Sequence, residues 1–282
     1  MKVNVKAAAA WGAVGLALTL AACGRTDSGS AAAPAADTSD PGYRAAPRIV
    51  ALSRAPDGGL SLAGRATPSS QVRLASPSGA RLETTADGQG DWRTPLGPVS
   101  EPALYGLSAE AEGRRIQAEG YVAILPGAPT VALLRAGSGA QVLDDAPGGA
   151  VRLLAVDVDG GGATVVSGRA AAGVPVRLLV DDMVAIEAPA GADGRFSLTL
   201  PKALPPGPHH IRALTAKAAA DAAVAITPIA PLTDGPYRIT PSGAAWRVDW
   251  MTPGGGPQTT LLLAPPKADA NTGPEADPKA NP

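Results

Sequence analysis

Cysteine, histidine and aromatic residues are scarce in this sequence. Its 282 residues include one Cys, two His, four Trp, four Tyr and one Phe. A single cysteine excludes an intrachain disulfide framework, and two adjacent histidines do not supply an ordinary zinc site. The chain also lacks a charge excess, with 24 basic against 25 acidic residues, so no surplus of positive charge exists to displace phosphate counterions. We therefore expect no nucleic-acid partner.

Glycine and proline are abundant, at 34 and 29 residues. At that density long uninterrupted helices are not expected, and turns should be frequent. The chain is nonetheless 45% hydrophobic, which is too apolar for a wholly disordered protein. The length suits one or two domains.

The N-terminus has the layout of a signal peptide. Lys2 and Lys6 precede an apolar run over residues 7–22, which is too short to span a membrane comfortably. The run ends in Leu20-Ala21-Ala22-Cys23-Gly24, which resembles the lipobox of bacterial lipoproteins. This resemblance implies removal of residues 1–22 and acylation of Cys23. The alternative is an ordinary secretory signal with an incidental cysteine.

Two or three acyl chains would hold the protein stably on a membrane. Gly24, in place of Asp after the cysteine, resembles the pattern of outer-membrane sorting. The resemblance thus implies a lipid-anchored envelope protein, at the outer membrane and facing the periplasm. Residues 23–46 hold almost no large apolar side chain, and we predict a disordered tether there, with a second disordered segment over residues 265–282.

An internal repeat organises the centre of the chain. A shift of 104 residues places Gly64-Arg65-Ala66 on Gly168-Arg169-Ala170 and Gly90-Asp91-Trp92 on Gly194-Arg195-Phe196. Such register over about 65 residues indicates two copies of one domain. We assign residues 47–127 and 149–231 to the two copies, and we expect Trp92 and Phe196 to fill equivalent core positions.

Each copy contains seven short segments of alternating or β-branched apolar residues, separated by turn residues. This spacing predicts an all-β protein with two tandem immunoglobulin-like β-sandwiches. The predicted strands are 48–54, 60–66, 71–75, 80–85, 91–96, 104–112 and 116–125 in the first copy, and 151–156, 164–170, 176–180, 183–188, 195–200, 209–217 and 222–226 in the second.

The second copy also carries a family pattern. Gly168–Leu178, Ala192–Phe196 and Leu204–His209 resemble the G-R-A-x-P-G-x-x-V-x-L, D-x-x-G-x-W and L-x-P-G-x-H-x-L motifs of bacterial Ig-like modules. The resemblance covers both copies and implies the sandwich fold, but it says little about a ligand. Residues 128–148 join the copies, and we expect them to form an extra hairpin or to extend a sheet edge, because a free linker would leave their apolar side chains in water.

The segment after the second copy has a different resemblance. Pro236–Val248 is similar to the opening strand and first helix of a LysM peptidoglycan-binding module, which follows such Ig-like modules in alphaproteobacterial proteins. The continuation, residues 249–257, is rich in Pro and Gly and does not match. We therefore predict a degenerate LysM-like segment over residues 236–264, folded as a β-hairpin of Ala245–Met251 and Thr259–Ala264. Tyr237, Trp246 and Trp250 are its candidate contacts to a glycan or a partner.

Residues that could support catalysis or metal binding do not form a recognised pattern. His209 and His210 are neighbours in a predicted strand, so their side chains should point to opposite faces. Seven aspartates could suggest a calcium site, but Asp–Gly pairs are typical of hairpin turns, and we attribute the seven to turn chemistry: Asp87, Asp91, Asp157, Asp159, Asp181, Asp182 and Asp193. We expect no enzyme, cofactor or metal; an enzyme with an unrecognised site would require a pocket of convergent carboxylates.

Two functions remain open from the sequence. The first is a non-enzymatic envelope lipoprotein that presents tandem Ig-like modules for binding or as a spacer, with the membrane as one partner and another protein as a candidate partner. The second is a cell-wall protein that binds peptidoglycan through the LysM-like segment, with Trp246 and Trp250 stacked on sugar faces. The competing explanation for these tryptophans is that they cover the end of the second sandwich.

Overall fold

Nineteen β-strands and no helix make up the part of the chain that the computed structural model describes, residues 44–54, 60–97, 99–126, 131–143 and 150–263. All of these residues belong to one compact unit. The predicted signal peptide, Cys23, most of the tether and the C-terminal tail lie outside the described residues. The prediction of an all-β fold with two immunoglobulin-like sandwiches is confirmed for the described part.

The first sandwich consists of two antiparallel sheets. Strands β1, β2 and β5 form a three-stranded sheet in the order β1-β2-β5, and the others form a six-stranded sheet in the order β4-β3-β6-β7-β8-β9. The strands are β1 Arg48–Arg54, β2 Leu60–Arg65, β3 Gln71–Ala75, β4 Arg81–Thr85, β5 Asp91–Leu96, β6 Ala103–Ala111, β7 Arg114–Ile124, β8 Val131–Leu134 and β9 Gln141–Val142.

The second sandwich pairs a four-stranded sheet, β13-β12-β15-β16, with a six-stranded sheet, β14-β11-β10-β19-β18-β17. Its strands are β10 Arg152–Asp159, β11 Thr164–Arg169, β12 Pro175–Val180, β13 Met183–Pro189, β14 Arg195–Thr199, β15 Gly207–Leu214, β16 Ala219–Ile226, β17 Tyr237–Ser242, β18 Ala245–Met251 and β19 Pro257–Leu263. Strand β15 ends three residues before the predicted Lys217, because Thr215 and Ala218 close a turn there.

The 104-residue repeat extends to details of the backbone. The pairing of β1 with β2 shifts register between Ile49 and Ala51, and that of β10 with β11 shifts between Leu153 and Ala155. A Cβ atom on Gly64 would lie 2.2 Å from both the Arg48 carbonyl oxygen and the Trp92 ring. The equivalent Gly168 is packed in the same way against Arg152 and Phe196. Trp92 and Phe196 are buried in the two cores, as expected.

Both segments outside the repeat extend a sheet. Strand β8 pairs with β7, and β9 pairs with β8, so the connecting segment is both a hairpin and an edge extension of the first sandwich. The C-terminal hairpin of β18 and β19 is present, but it is part of a three-stranded meander that begins at β17. Strand β19 also pairs with β10. The segment that resembles the LysM helix is therefore strand β18, within the sheet of the second sandwich.

Three apolar cores separate four layers of sheet. Within each sandwich one core lies between its two sheets. The third core lies between the two six-stranded sheets, which face each other, and it is formed by Leu104, Ala123, Leu125, Ala132, Leu134, Ala140, Val142, Leu154, Ala155, Val248, Trp250 and Leu262. We call this third core the joint. Each six-stranded sheet is thus buried on both faces over part of its area.

Candidate functional site: the joint and the adjoining groove

Trp250 occupies the centre of the joint. Its side chain has no exposed surface, its indole N–H donates to Thr260 Oγ1 at 3.2 Å, and its ring meets that of Tyr121 edge to face at 5.6 Å. A ring without exposed surface cannot stack on a sugar. The prediction that Trp250 contacts a glycan is therefore wrong for this structure, and the residue instead joins the second sandwich to the first.

Trp246 and Tyr237 lie at the margin of the same core. Both are half-buried and pack against the joint. The Tyr237 hydroxyl is 3.3 Å from Ser76 Oγ in the first sandwich. The three predicted contact residues thus lie close together, but most of their surface packs within the molecule, in or against the joint. The competing explanation was that the tryptophans cover the end of the second sandwich. It fits this arrangement better than an exposed aromatic surface that binds glycan.

A buried carboxylate fastens the joint. Asp157 is 2% exposed and accepts hydrogen bonds from the Ala140 backbone N–H at 2.8 Å, Thr260 Oγ1 at 2.6 Å and Gln258 Nε2 at 3.3 Å. Burial raises the pKa of Asp157 to about 6, and the three hydrogen bonds oppose that rise. The carboxylate therefore links the connecting segment to the C-terminal strand. The prediction that Asp157 is a turn residue is wrong, since it lies buried within strand β10.

The connecting segment fits closely against the second sandwich. The Gly139 N–H donates to Ser197 Oγ at 3.2 Å, and Arg195 Nη1 donates to the Val142 carbonyl oxygen at 3.1 Å. A Cβ atom on Gly139 would lie 1.8 Å from Ser167 Oγ, so a larger residue would have to displace that side chain. These contacts add directional bonds to the apolar packing, and they fix the register of the connecting segment on the second sandwich.

A second buried carboxylate holds the C-terminal meander to the segment before it. Asp249, 2% exposed, accepts hydrogen bonds from Arg247 Nε, Arg238 Nη2 and Thr259 Oγ1 at 2.9, 3.1 and 2.6 Å. The guanidinium of Arg247 also donates to Thr227 Oγ1 and to the Thr227 carbonyl. A buried charge that is paired and hydrogen-bonded in this way ties its neighbours into one arrangement.

An open groove of about 1110 Å³ lies beside the meander. Its floor is strand β16, the edge of the four-stranded sheet, and its walls are the turn between β17 and β18 and the side chains of Leu261 and Leu263. The groove exists because the six-stranded sheet extends beyond the four-stranded one. Five of its fifteen lining residues are alanine, and four are titratable: Asp181, His209, His210 and Asp221.

The two histidines of the groove are held by acceptors. His209 Nδ1 is 2.8 Å from Asp181 Oδ2, and its Nε2 is 2.8 Å from the Pro205 carbonyl oxygen. Two acceptors favour the doubly protonated ring, and the hydrogen bond to Asp181 raises the pKa of His209. His210 lies on the opposite face of the strand, as expected, 3.2 Å from Asp221. Both ring nitrogens of His209 are thus engaged, so this residue is not available as a base or a metal ligand.

Three of the predicted turn aspartates bind their own turns. Asp87 Oδ1 accepts hydrogen bonds from the N–H groups of Gln89 and Asp91. Asp159 Oδ1 does the same for Gly161 and Ala163, and Asp193 Oδ1 accepts from Arg195 N. Turn chemistry therefore accounts for them. Among the described residues no group of three or more His, Cys, Asp or Glu is arranged to hold a metal ion.

Comparisons with known proteins identify no family. No protein-family model and no curated protein matches the chain. Among solved structures, a biofilm-associated protein BSP domain matches at 15% identity over 61% of this chain and 28% of its own, with a TM-score of 0.23. The central fibronectin-III array of RIM-binding protein matches at 15% identity over 73% of this chain and 79% of its own, with a TM-score of 0.24.

A third similar structure is a Ca²⁺-stabilized adhesin that helps an Antarctic bacterium bind ice. It matches at 12% identity over 78% of this chain and 66% of its own, with a TM-score of 0.21. The chain thus spans less than a third of the biofilm-associated structure and about two thirds of the adhesin. Similarity at this level does not bear on ligand or partner. No helix that could cross a bilayer occurs among the residues described.

Proposed function

We propose that this chain is a non-enzymatic lipoprotein of the bacterial envelope, anchored through Cys23, which presents two Ig-like sandwiches as one stiff unit for binding or as a spacer. The observation that supports this most is the joint: the connecting segment and the C-terminal meander are both used to fix one sandwich to the other. An enzyme needs a site in which reactive groups converge on a substrate. In the groove, both ring nitrogens of His209 face internal acceptors, and His210 is paired with Asp221.

Fatty-acid labelling tests the anchoring. Cells that express the full chain are fed a clickable fatty acid, and the chain is compared with a Cys23→Ser variant. We expect label on the parent and none on the variant, because Cys23 is the only thiol in the sequence. Label that survives the substitution would contradict the lipoprotein proposal. Fractionation of the membranes then tests the proposed location at the outer membrane, facing the periplasm.

The peptidoglycan alternative has less support, because Trp250 is enclosed in the joint. Trp246 and Tyr237 retain some exposed surface and are the groups through which the LysM-like segment could still contact glycan. Retention of the parent on purified peptidoglycan, with loss in a Trp246→Ala variant that folds normally, would favour this alternative. If the parent is not retained, the alternative is excluded.

A further inference from the structure

The outer face of the sheet β1-β2-β5 carries an excess of positive charge. Arg48, Arg65 and Arg93 all project from this face and are exposed, and Asp91 is the acidic residue among the described residues of the same face. The remaining outward positions are mostly small, and they include Ala51, Ser53, Ser61 and Ala63. Three guanidinium groups therefore stand on a nearly flat surface. We call this surface the basic face.

Among the described residues, an acid pairs with only one of the three arginines. Arg65 Nε lies 3.0 Å from Asp91 Oδ1, whereas Arg93 Nη1 donates to the neutral Ser53 hydroxyl at 2.8 Å. On the outer faces of the other sheets, arginines face carboxylates in cross-strand pairs: Arg73 with Glu83, Arg115 with Glu110, Arg177 with Glu187 and Arg212 with Asp221. Arg48 and Arg93 therefore have no acidic partner among the described residues.

The repeat shows that this face is a contact surface in the other copy. Val50 and Ala51 correspond, after the 104-residue shift, to Leu154 and Ala155, which are buried in the joint. In the first copy Val50 is instead 54% exposed. No described residue covers the basic face, although its counterpart is covered by the neighbouring sandwich. A surface with this geometry is able to lie flat against a large partner.

We propose that the basic face lies on the anionic lipid headgroups of the membrane in which the protein is anchored. The proposal rests on the proposed lipid anchor at Cys23. Strand β1 is the first strand after the predicted tether, so the sheet with uncompensated arginines is also the sheet attached to it. A tether of about 20 residues has a root-mean-square reach of roughly 25 Å, which keeps this sheet close to the bilayer. Contact through the basic face would orient the stiff unit on the membrane.

The contact needs only modest energy, because the acyl chains already hold the protein at the membrane. An arginine close to an anionic surface strengthens binding by about fivefold at moderate salt, and screening weakens the attraction as salt rises. Removal of the two uncompensated arginines should therefore lower the affinity of the lipid-free chain by about thirtyfold. Charge reversal should lower it further.

The test uses chain 23–282 with Cys23→Ser, which keeps every described residue and removes the site of acylation. Its co-sedimentation is measured with vesicles rich in phosphatidylglycerol and with vesicles of phosphatidylcholine alone. We expect salt-sensitive binding to the anionic vesicles and none to the neutral ones. The variant Arg48→Glu with Arg93→Glu should lose this binding. The matched variant Arg177→Glu with Arg212→Glu, on the four-stranded sheet of the second sandwich, should keep it.

Binding that is absent in the parent, or that is equal in both double variants, would overturn the proposal. Binding to neutral vesicles that persists at high salt would also overturn it, since the contact would then be apolar. Thermal unfolding checks that each variant is folded. The labelling of Cys23 is measured separately, so a failure of the basic face can be distinguished from a failure of the lipid anchor.

Discussion

The two sandwiches share strands, turns and core residues, but they use the outer face of the same sheet in opposite ways. In the second sandwich this face carries Leu154 and Ala155, which are buried against the first sandwich. In the first, Val50 and Ala51 at the equivalent positions are exposed. The same face of the repeated domain is therefore a contact with the other sandwich in the second copy and an open surface in the first.

The additions to the two copies differ as well. The first sandwich gains β8 and β9 beyond β7, and the second gains β19, β18 and β17 beyond β10. These added strands form much of the joint. A repeat alone would give two domains on a linker, whereas these extensions make the joint a third core. We therefore expect substitutions in the core of one sandwich to lower its stability, and substitutions in the joint also to uncouple the unfolding of the two sandwiches.

Substitution of Trp250 should have the largest effect. Trp250→Ala removes the largest fully buried side chain in the structure, and we expect a loss of about 3–5 kcal/mol in the free energy of unfolding. Because the cavity lies in the joint, the two sandwiches should also unfold in separate transitions. Urea unfolding followed by fluorescence and by circular dichroism measures both. A single transition, displaced by less than about 1 kcal/mol, would argue against the joint as a core.

The glycine at the equivalent position in each copy gives a matched pair. An added methyl on Gly64 or Gly168 would overlap a carbonyl oxygen and an aromatic ring within 2.4 Å, and overpacking of this kind costs about 1–3 kcal/mol. Gly64→Ala and Gly168→Ala should lower the stability by similar amounts. Gly88→Ala, where no atom lies within 4 Å, is the control. Unequal losses in the thermal unfolding of the pair would show that the two interiors are less alike than their backbones.

The joint should also make stability depend on pH. Burial raises the pKa of Asp157 from 3.8 to about 6, so the folded chain binds this proton more tightly than the unfolded chain. The stability from this group is fully present below about pH 4 and is lost as the pH rises through about 6. We expect the free energy of unfolding to fall by about 1 kcal/mol between about pH 5 and about pH 8.

An Asp157→Asn variant isolates this contribution. The amide remains neutral, its oxygen can accept from the Ala140 N–H, and its nitrogen can face Thr260 Oγ1, which is able to accept. The pKa of His209 is also raised and gives a decline of the same sign near and above neutral pH, while the lowered pKa of Asp181 acts only in acid. The difference in the free energy of unfolding between parent and variant should therefore change with pH around pH 6. If the free energy of unfolding depends on pH in the same way in parent and variant, the role of Asp157 is contradicted.

The smallest expected effect concerns the margin of the joint. Tyr237→Phe removes one hydroxyl contact, to Ser76 of the first sandwich, and should cost about 0.5–1 kcal/mol. It should not separate the unfolding of the sandwiches, because the aromatic ring remains packed. Calorimetry of Tyr237→Phe and of Trp250→Ala under the same conditions measures this difference: one unfolding transition is expected in the first variant and two in the second.

Much of the fold could be predicted, since each copy is specified by local signals. Alternating apolar residues define the strands, and Asp–Gly turns close them, as the bonds of Asp87 and Asp159 show. The 104-residue shift then pairs Gly64 with Gly168 and identifies both cores. Errors at strand ends, as at Leu214, arise because a side chain such as Thr215 closes a turn that composition does not reveal.

The joint could not be predicted in the same way, because it depends on contacts between distant segments. The alternation of β18 shows an apolar face, but the sequence does not say whether Trp250 faces solvent, a glycan or another sheet. Asp157 was hidden among turn aspartates, although Ser53 stands at the equivalent position of the first copy. The signal that could have indicated a buried contact is that Asp157 follows the apolar residues Leu154 and Ala155 and replaces the serine of the first copy.

A distance measured between the two sandwiches shows whether the joint holds them as one rigid unit. With Cys23→Ser as background, spin labels are attached to cysteines placed at the exposed residues Thr85 and Lys217, one in each sandwich, and pulsed dipolar spectroscopy measures their separation. The joint predicts one narrow distance distribution in the parent, and a broad one when Trp250→Ala is added. A broad distribution in the parent would contradict the account, since it would mean that the sandwiches move as independent domains.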